Sequence, residues 1–258
     1  MFQIAIPSYN RLEILKSQTL SFLRQTTISL SNITIFVANQ EQYDLYSKDI
    51  SDVRIVVAEL GVRAVRNFIT RYYPEGEKVL SMDDDIQGIW ELKEDLYELW
   101  NPKDFEAKVM KMFIDCEIHQ RRMFGIYPTK CKMYQKQSAE VSSNLKFCIG
   151  HFFGVINRHT FTDIDYKEDY QRSIEYSLRD GGVLRYNRLC AHTKFGIAGG
   201  VNKTAKERRD TYEKEIVFLL SKYPHLINRN KRRECEIILT TSVKKFNQQR
   251  GVFLSSLV

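Results

Sequence analysis

The chain has 258 residues, 43% of them hydrophobic and 28% charged, which is enough apolar material for one sizeable core and too mixed a pattern for a disordered segment or linker. The net charge of +7 is unevenly placed: residues 186–258 hold 15 Lys or Arg against 6 Asp or Glu, a local +9 that suits a polyanion as well as it suits a solvated basic face. Five scattered cysteines without a C-x-x-C pair argue against zinc or redox chemistry, and no apolar run is long enough to span a membrane, so a cytoplasmic location without a membrane partner is expected.

Phe2–Ile6 reads as a short buried strand, ended by the turn formers Pro7-Ser8-Tyr9-Asn10. A helix is expected next, capped by Asn10 with Glu13 three residues on, and with Leu12, Leu15, Thr19, Phe22 and Leu23 along one face. Ile33–Val37 and Arg54–Ala58 are β-branched strands separated by a polar stretch around Tyr43 to Asp49. Gly61 and Val62 open a second helix through Arg66, Asn67, Phe68 and Tyr72; Pro74-Glu75-Gly76 breaks it, and Lys78–Met82 begins a fourth strand.

Strands alternating with helices imply an α/β fold with a mostly parallel sheet and right-handed crossovers, whose ligand site lies at the carboxyl ends of the strands. Three polar clusters fall at such ends: Pro7-Ser8-Tyr9-Asn10-Arg11, Ala38-Asn39-Gln40-Glu41 and Asp83-Asp84-Asp85. Beyond them, residues 104–121 read as a helix, and 124–134 and 146–157 as strands of a less regular half. Residues 166–178 form a helix closed at Arg179-Asp180-Gly181-Gly182. Residues 207–223 form a helix with Tyr212, Ile216, Leu219 and Tyr223 on one face, stopped by Pro224.

Three consecutive aspartates at the mouth of a buried strand repel one another unless a cation or hydrogen-bond donors compensate. Strand alternation would put Asp83 and Asp85 on one side, where two carboxylates can share one Mg²⁺ or Mn²⁺ and its diphosphate ligand. A solvated turn is the plainer alternative.

The ordered set I-P-S-Y-N-R, G-V-R-A-V-R-N and D-D-D resembles the nucleotide-diphospho-sugar transferases of the GT-A fold. The resemblance implies a Rossmann-like, mostly parallel sheet flanked by helices, with a mixed α+β acceptor half and a helical C-terminus, in a single domain. Residues 1–100 would bind the nucleotide sugar, 101–205 the acceptor, and 206–258 would form a basic helical end. It implies a UDP-sugar donor and Mn²⁺ or Mg²⁺. Pro7, Tyr9, Arg11 and Asn39 would lie near the nucleoside, Arg63 or Arg66 near phosphate, Asp83 at ribose or metal-bound water, Asp84 beside it, and Asp85 on the metal. Lys167-Glu168-Asp169-Tyr170 matches the Glu-Asp element that faces the acceptor, so Asp169, or else Glu168, would be the general base of an inverting enzyme. An acidic first helical turn is the plainer alternative. His192 is the candidate third metal ligand, with His151 its competitor, and Lys203 in Gly199-Gly200-Val201-Asn202-Lys203 a candidate diphosphate contact in a closing loop.

The run of G-H-F-F-G-V, E-D-Y-Q-R-S-I-E-Y and D-G-G-V-L-R-Y-N is similar to a narrower group, the TET-associated and T-even-like phage DNA glycosyltransferases. This implies transfer of glucose or arabinose to 5-hydroxymethylcytosine, or to a sugar already on it, in double-stranded phage DNA in the host cytoplasm. Arg208, Arg209, Arg229, Lys231, Arg232, Arg233, Lys244, Lys245 and Arg250 would contact backbone phosphates without reading sequence. A protein or glycan acceptor, and a metal-dependent nuclease, are the competing readings.

Overall fold

In the computed structural model, residues 1–193 and 205–256 are described, with side chains from Arg209 onward in the second segment. The first half runs β1 (Gln3–Pro7), α1 (Leu12–Leu15), a π-helical turn (Lys16–Leu20), α2 (Ser21–Leu23), β2 (Ile33–Val37), α3 (Gln40–Asp49), β3 (Arg54–Val57), α4 (Val62–Tyr72) and β4 (Lys78–Met82). It continues with β5 (Ile86–Lys93), β6 (Leu96–Leu99), α5 (Phe105–Ile118), β7 (Met123–Ile126), α6 (Lys132–Lys136), β8 (Val141–Ser142) and β9 (Phe152–Ile156). The rest is α7 (Glu168–Asp180), β10 (Leu184–Tyr186), β11 (Leu189–Thr193), α8 (Ala205–Lys222), the hairpin β12 (Ile227–Arg229) and β13 (Ile237–Leu239), and α9 (Val243–Ser255).

The main sheet has eight strands in the order β3-β2-β1-β4-β9-β7-β10-β8. β1 pairs in parallel with both β2 and β4, β2 with β3, and β7 with β10, whereas β9 runs antiparallel between β4 and β7. The carboxyl ends of β1, β2, β4, β7 and β10 therefore share one edge of the sheet, and the segment leading into β9 arrives at that same edge. Buried Ile4, Ile6, Ile33, Ile35, Leu80 and Met82 join Phe113, Phe124 and Phe152 in the main core. A separate core of Ile174, Leu178, Ile216, Leu219, Tyr223 and Ile237 fastens α8 and the hairpin to α7. A small sheet, β11-β5-β6, stands beside the main one.

Several elements differ from the sequence expectation. Asn10 does not cap the first helix: its backbone is left-handed (φ 55°), and its side-chain oxygen accepts from Gln42 Nε2 at 2.8 Å, leaving Arg11 at the cap position. The polar stretch after β2 is helical; α3 buries only Gln42 and Tyr46, too narrow an apolar stripe to read from periodicity. The strand expected over 124–134 ends at Ile126, and Lys132–Lys136 is helical instead. The strand expected over 146–157 is confined to Phe152–Ile156. The C-terminal segment is helical only in part, because the β12–β13 hairpin intervenes. Among the described residues, no helix is long and apolar enough to cross a membrane.

Candidate active site

A cleft of about 610 Å³ opens at the shared carboxyl edge. Pro7, Ser8, Tyr9 and Arg11 line it from the end of β1, and Ala38 from the end of β2. Val62, Val65 and Arg66 come from α4, Asp83 and Asp84 from the end of β4, Ile149, Gly150 and His151 from the approach to β9, and Glu168 and Asp169 from the first turn of α7. Pro7, Tyr9, Arg11, Arg66, Asp83, Asp84, Glu168 and Asp169, far apart in sequence, thus meet in one hollow.

The three aspartates form the turn between β4 and β5 rather than a strand end, and they take three different surroundings. Asp84 is buried, accepting from Ser8 Oγ at 2.8 Å and from Arg11 Nη1 at 3.2 Å. Burial pushes its carboxyl up to about 6 against the pull of Ser8, with the charge of Asp83 adding to the rise and Arg11 opposing it. The Tyr46 hydroxyl sits behind this group, 2.9 Å from Ser8 Oγ, and accepts the Arg11 backbone N–H at 3.0 Å. Asp84 is therefore a buried post that locks the β1 turn to the acidic turn. Thr19 does the same from the π-helical turn: its hydroxyl donates to the Asp83 carbonyl at 2.8 Å and accepts the Ile86 N–H at 2.8 Å. Sequence reasoning missed Ser8, Thr19 and Tyr46; a hydroxyl on the apolar face of the first helix was the available signal for Thr19.

Asp83 keeps 38% of its side chain exposed and meets Arg66 Nη2 at 2.6 Å. Asp85 lies 3.6 Å from Arg11 Nη1; burial and then the Asp83 charge raise its carboxyl, and the Thr193 side chain holds it down by a hydrogen bond. Asp83 lines the cleft whereas Asp85 stands outside its lining set; hard carboxylates of this kind suit an ion that completes its shell with diphosphate oxygens and water, the usual habit of Mg²⁺. The third ligand is another matter. β11 pairs antiparallel with β5, placing His192 opposite Gly88, with a register irregularity between His192 and Thr193. The His192 ring packs against Trp90 (centroids 5.2 Å), and among the described residues no group of three or more His, Cys, Asp or Glu is arranged to hold a metal. His192 thus packs on Trp90, one residue before the Thr193 side chain that bonds Asp85. His151 lines the cleft, buried, with its carbonyl accepting the Asp83 N–H at 3.0 Å; burial lowers its pKa.

Arg66 lines the cleft from within a network of bonds. Its guanidinium, 6% exposed, bonds Ser81 Oγ, Asp83 Oδ1 at 2.6 Å and the Gly150 carbonyl at 2.8 Å, tying the acidic turn to the acceptor side. Arg63 is exposed, donates to the Asp163 carbonyl at 3.0 Å and lies 3.7 Å from Asp165 at the rim. Asn39 caps α3, accepting the Gln42 N–H at 3.0 Å, outside the set of lining residues.

On the acceptor side, Asp169 Oδ2 accepts the Gly150 N–H at 3.3 Å and Oδ1 accepts the Tyr170 N–H at 2.9 Å. Burial pushes its carboxyl up to about 6, and these two backbone donors oppose the rise. Glu168 is paired with Arg172 one helical turn on; Arg172 in turn lies 4.1 Å from the Phe153 ring centroid, and burial lowers its pKa to about 9. Asp169 therefore lines the cleft without an ion pair among the described residues, although the charge of Lys167 also acts to lower its pKa, and Glu168 is held as a counterion. A Cβ on Gly150 would lie 3.1 Å from Glu168 Oε1, a tight approach that the side chain would have to yield to, and 3.5 Å from Asp169 Cβ.

The basic C-terminal residues sit elsewhere. Arg209 pairs with Glu234 at 3.2 Å, Arg229 pairs with Glu213 at 2.7 Å, and Arg250 donates to the carbonyls of Leu178 and Arg179. Lys231, Arg232, Arg233, Lys244 and Lys245 are exposed. None of these lines the cleft. Lys203 and the side chain of Arg208 lie outside the described residues.

No family model and no curated protein sequence matches the chain. Solved structures do match its fold. Residues 1–349 of the S. aureus protein TarS, in complex with UDP-GlcNAc, superpose with a TM-score of 0.54 at 12% identity over 98% of this chain and 71% of that TarS chain, whereas a longer TarS structure is covered to 42%. Glucosyl-3-phosphoglycerate synthase from Mycobacterium tuberculosis, in complex with Mn²⁺, UDP-glucose and phosphoglyceric acid, superposes with a TM-score of 0.50 at 12% identity over 86% of this chain and 79% of the synthase. The architecture of this chain is thus a mixed α/β fold of the GT-A type, shared with proteins crystallised holding UDP-sugars.

Proposed function

We propose that this chain is a metal-dependent glycosyltransferase with a UDP-sugar donor, and that its acceptor is 5-hydroxymethylcytosine, or a sugar already on it, in DNA. The observation that carries the enzyme class is the meeting, in one cleft of a GT-A fold, of an acidic turn at the end of β4 with a buried carboxylate at the start of α7. The bound UDP-sugars of TarS and the synthase, and the Mn²⁺ of the synthase, support the donor and the metal.

In this reading the β1 turn, with Pro7, Tyr9 and Arg11, faces the nucleoside. Asp83 and Asp85 hold the divalent ion, which when bound neutralises charge on the departing diphosphate. Arg66 fixes Asp83 from behind and braces Gly150, which preserves the geometry of the acidic turn. Asp169 accepts the proton of the attacking hydroxyl as the new glycosidic bond forms and the bond from sugar to diphosphate breaks. A carboxyl raised by burial toward neutrality is suited to that task. The DNA acceptor rests on the G-H-F-F-G-V and E-D-Y-Q-R-S-I-E-Y resemblance and on the basic surface.

Incubation with Mn²⁺, radiolabelled UDP-sugars and either hydroxymethylcytosine DNA, unmodified DNA or no acceptor tests the whole reading. Label entering only the modified DNA is expected. Donor hydrolysis with no label in any DNA would remove the acceptor assignment and leave the enzyme class; cleaved DNA without label would remove the class.

A further inference from the structure

The C-terminal charge is not the only basic surface. Three cations lie on the carboxyl-edge side of the sheet, near β7 and β10, and none of them forms an ion pair with a carboxylate among the described residues. Lys130, exposed in the loop after β7, rests its Nζ 3.6 Å from the Trp90 ring centroid and 4.7 Å from that of Tyr97. Arg185 of β10, nine-tenths buried, stacks 4.9 Å from the Tyr127 centroid and donates to the Phe147 carbonyl, three residues before Gly150 of the cleft. Lys146 is the third; burial and the nearby positive charge of Arg185 lower its pKa. The frame beneath them is firm. The Tyr127 N–H donates to the Leu189 carbonyl at 2.8 Å, joining the main sheet to the small one, and the Tyr97 hydroxyl bonds Gln135.

Like charges gathered without a carboxylate attract an anion, and aromatic faces set between them attract flat rings. Both requirements are met by one ligand class, a polynucleotide strand whose bases are unstacked. We propose that Trp90, Tyr97, Tyr127, Lys130 and Lys146 form the track along which the acceptor strand reaches the cleft, with a base flanking the reactive one stacked on Trp90 and its phosphates held by Lys130 and Lys146, while the buried Arg185 holds Tyr127 and the Phe147 carbonyl in place and adds its charge from below. This rests on the nucleic-acid acceptor proposed above. Lys130 is the displaceable element: a base on an aromatic face outweighs an exposed ammonium on the same face, so the incoming base takes the Trp90 face while Lys130 swings to a phosphate. The C-terminal cations then serve only as a diffuse attraction.

The chain has two tryptophans, and Trp100 is buried, so Trp100→Phe leaves Trp90 as the single indole reporter. In that background, an oligodeoxycytidine of about ten nucleotides, a length within the site sizes of single-strand binders, is titrated while emission and anisotropy are followed. Saturable quenching of Trp90 is expected. Trp90→Ala should weaken binding about tenfold, and Lys130→Ala should lower the slope of log affinity against log salt by about 0.7. UDP affinity, measured by calorimetry, should stay at the parent value in both variants and so report an intact donor cleft. Oligonucleotide binding without quenching and with an unchanged salt slope in Lys130→Ala overturns the track but leaves the DNA acceptor standing. Absence of any oligonucleotide binding overturns both, and quenching by a free oligosaccharide but not by the oligonucleotide assigns the aromatic face to a glycan instead.

Discussion

The donor half and the acceptor half both hold carboxylates at the cleft, but they compensate them differently. In the first half the acidic turn is balanced by cations from neighbouring elements of the parallel sheet: Arg11 for Asp84 and Asp85, Arg66 for Asp83. In the second half Arg172 pairs with Glu168, and Asp169 is held by two backbone donors and feels the charge of Lys167 without an ion pair among the described residues. A cation beside a carboxylate opposes the rise that burial causes without cancelling it at Asp84, and at Asp169 backbone donors and the charge of Lys167 oppose it instead. The donor half is thus built on ion pairs that join its elements, and the acceptor half on a carboxylate held by backbone donors.

The sharpest way to break that comparison is Asp169→Asn, which should lower kcat by about 10²–10⁴ while UDP binding persists. The pH profile belongs to the same test. Asp169 acts as a base only when deprotonated, and its carboxyl is raised to about 6, so kcat/KM of the parent should fall as pH drops through about 6. The stability sign runs the other way: a carboxyl raised by folding favours the folded state when protonated, and that contribution is lost as pH rises through about 6. Asp169→Asn should therefore melt higher than the parent at pH 8.

Next in size, Asp85→Ala should lower turnover by about 10²–10³ in saturating Mn²⁺, equal to the several kcal/mol that a bound cation supplies, with an unchanged circular dichroism spectrum. Wild-type activity in that variant would remove Asp85 from the metal site. Arg66→Ala probes the strut between the halves: loss of its bonds to Asp83 and the Gly150 carbonyl should destabilise the protein by about 2–3 kcal/mol in urea unfolding. Gly150→Ala should lower kcat by less than about tenfold by pushing the Glu168 carboxylate a few tenths of an ångström beside Asp169, with less change in KM for the donor. The smallest effect belongs to the C-terminal surface, where Lys244→Ala with Lys245→Ala should weaken DNA binding by about threefold or less at physiological salt, in keeping with exposed charges.

The four parallel strands up to Met82 were legible because each is a largely apolar run, and because the site residues follow directly, as with Pro7 after Ile6 and Asp83 after Met82, whereas β5 and β6, with their mixed sequences, were not. Legibility failed where an element buries little or is short. α3 turns mostly polar residues to solvent, β8 has two residues, and the small β11-β5-β6 sheet depends on partners almost a hundred residues apart. The surroundings of site residues were hidden for a related reason. The sequence does not signal that Arg66 is buried against Ser81, Asp83 and Gly150, nor that strand pairing sets His192 against Trp90.

The sequence by itself determined the alternation of strands and helices, the acidic turn and the Glu-Asp step, because these are local patterns of burial and charge that a neighbouring residue can signal. Only the tertiary structure decided which carboxylate is held by backbone donors, which arginine is a brace, and where aromatic rings and unpaired cations meet. Those outcomes depend on desolvation and on distances between segments brought together by the sheet, and neither is written at any single position of the chain.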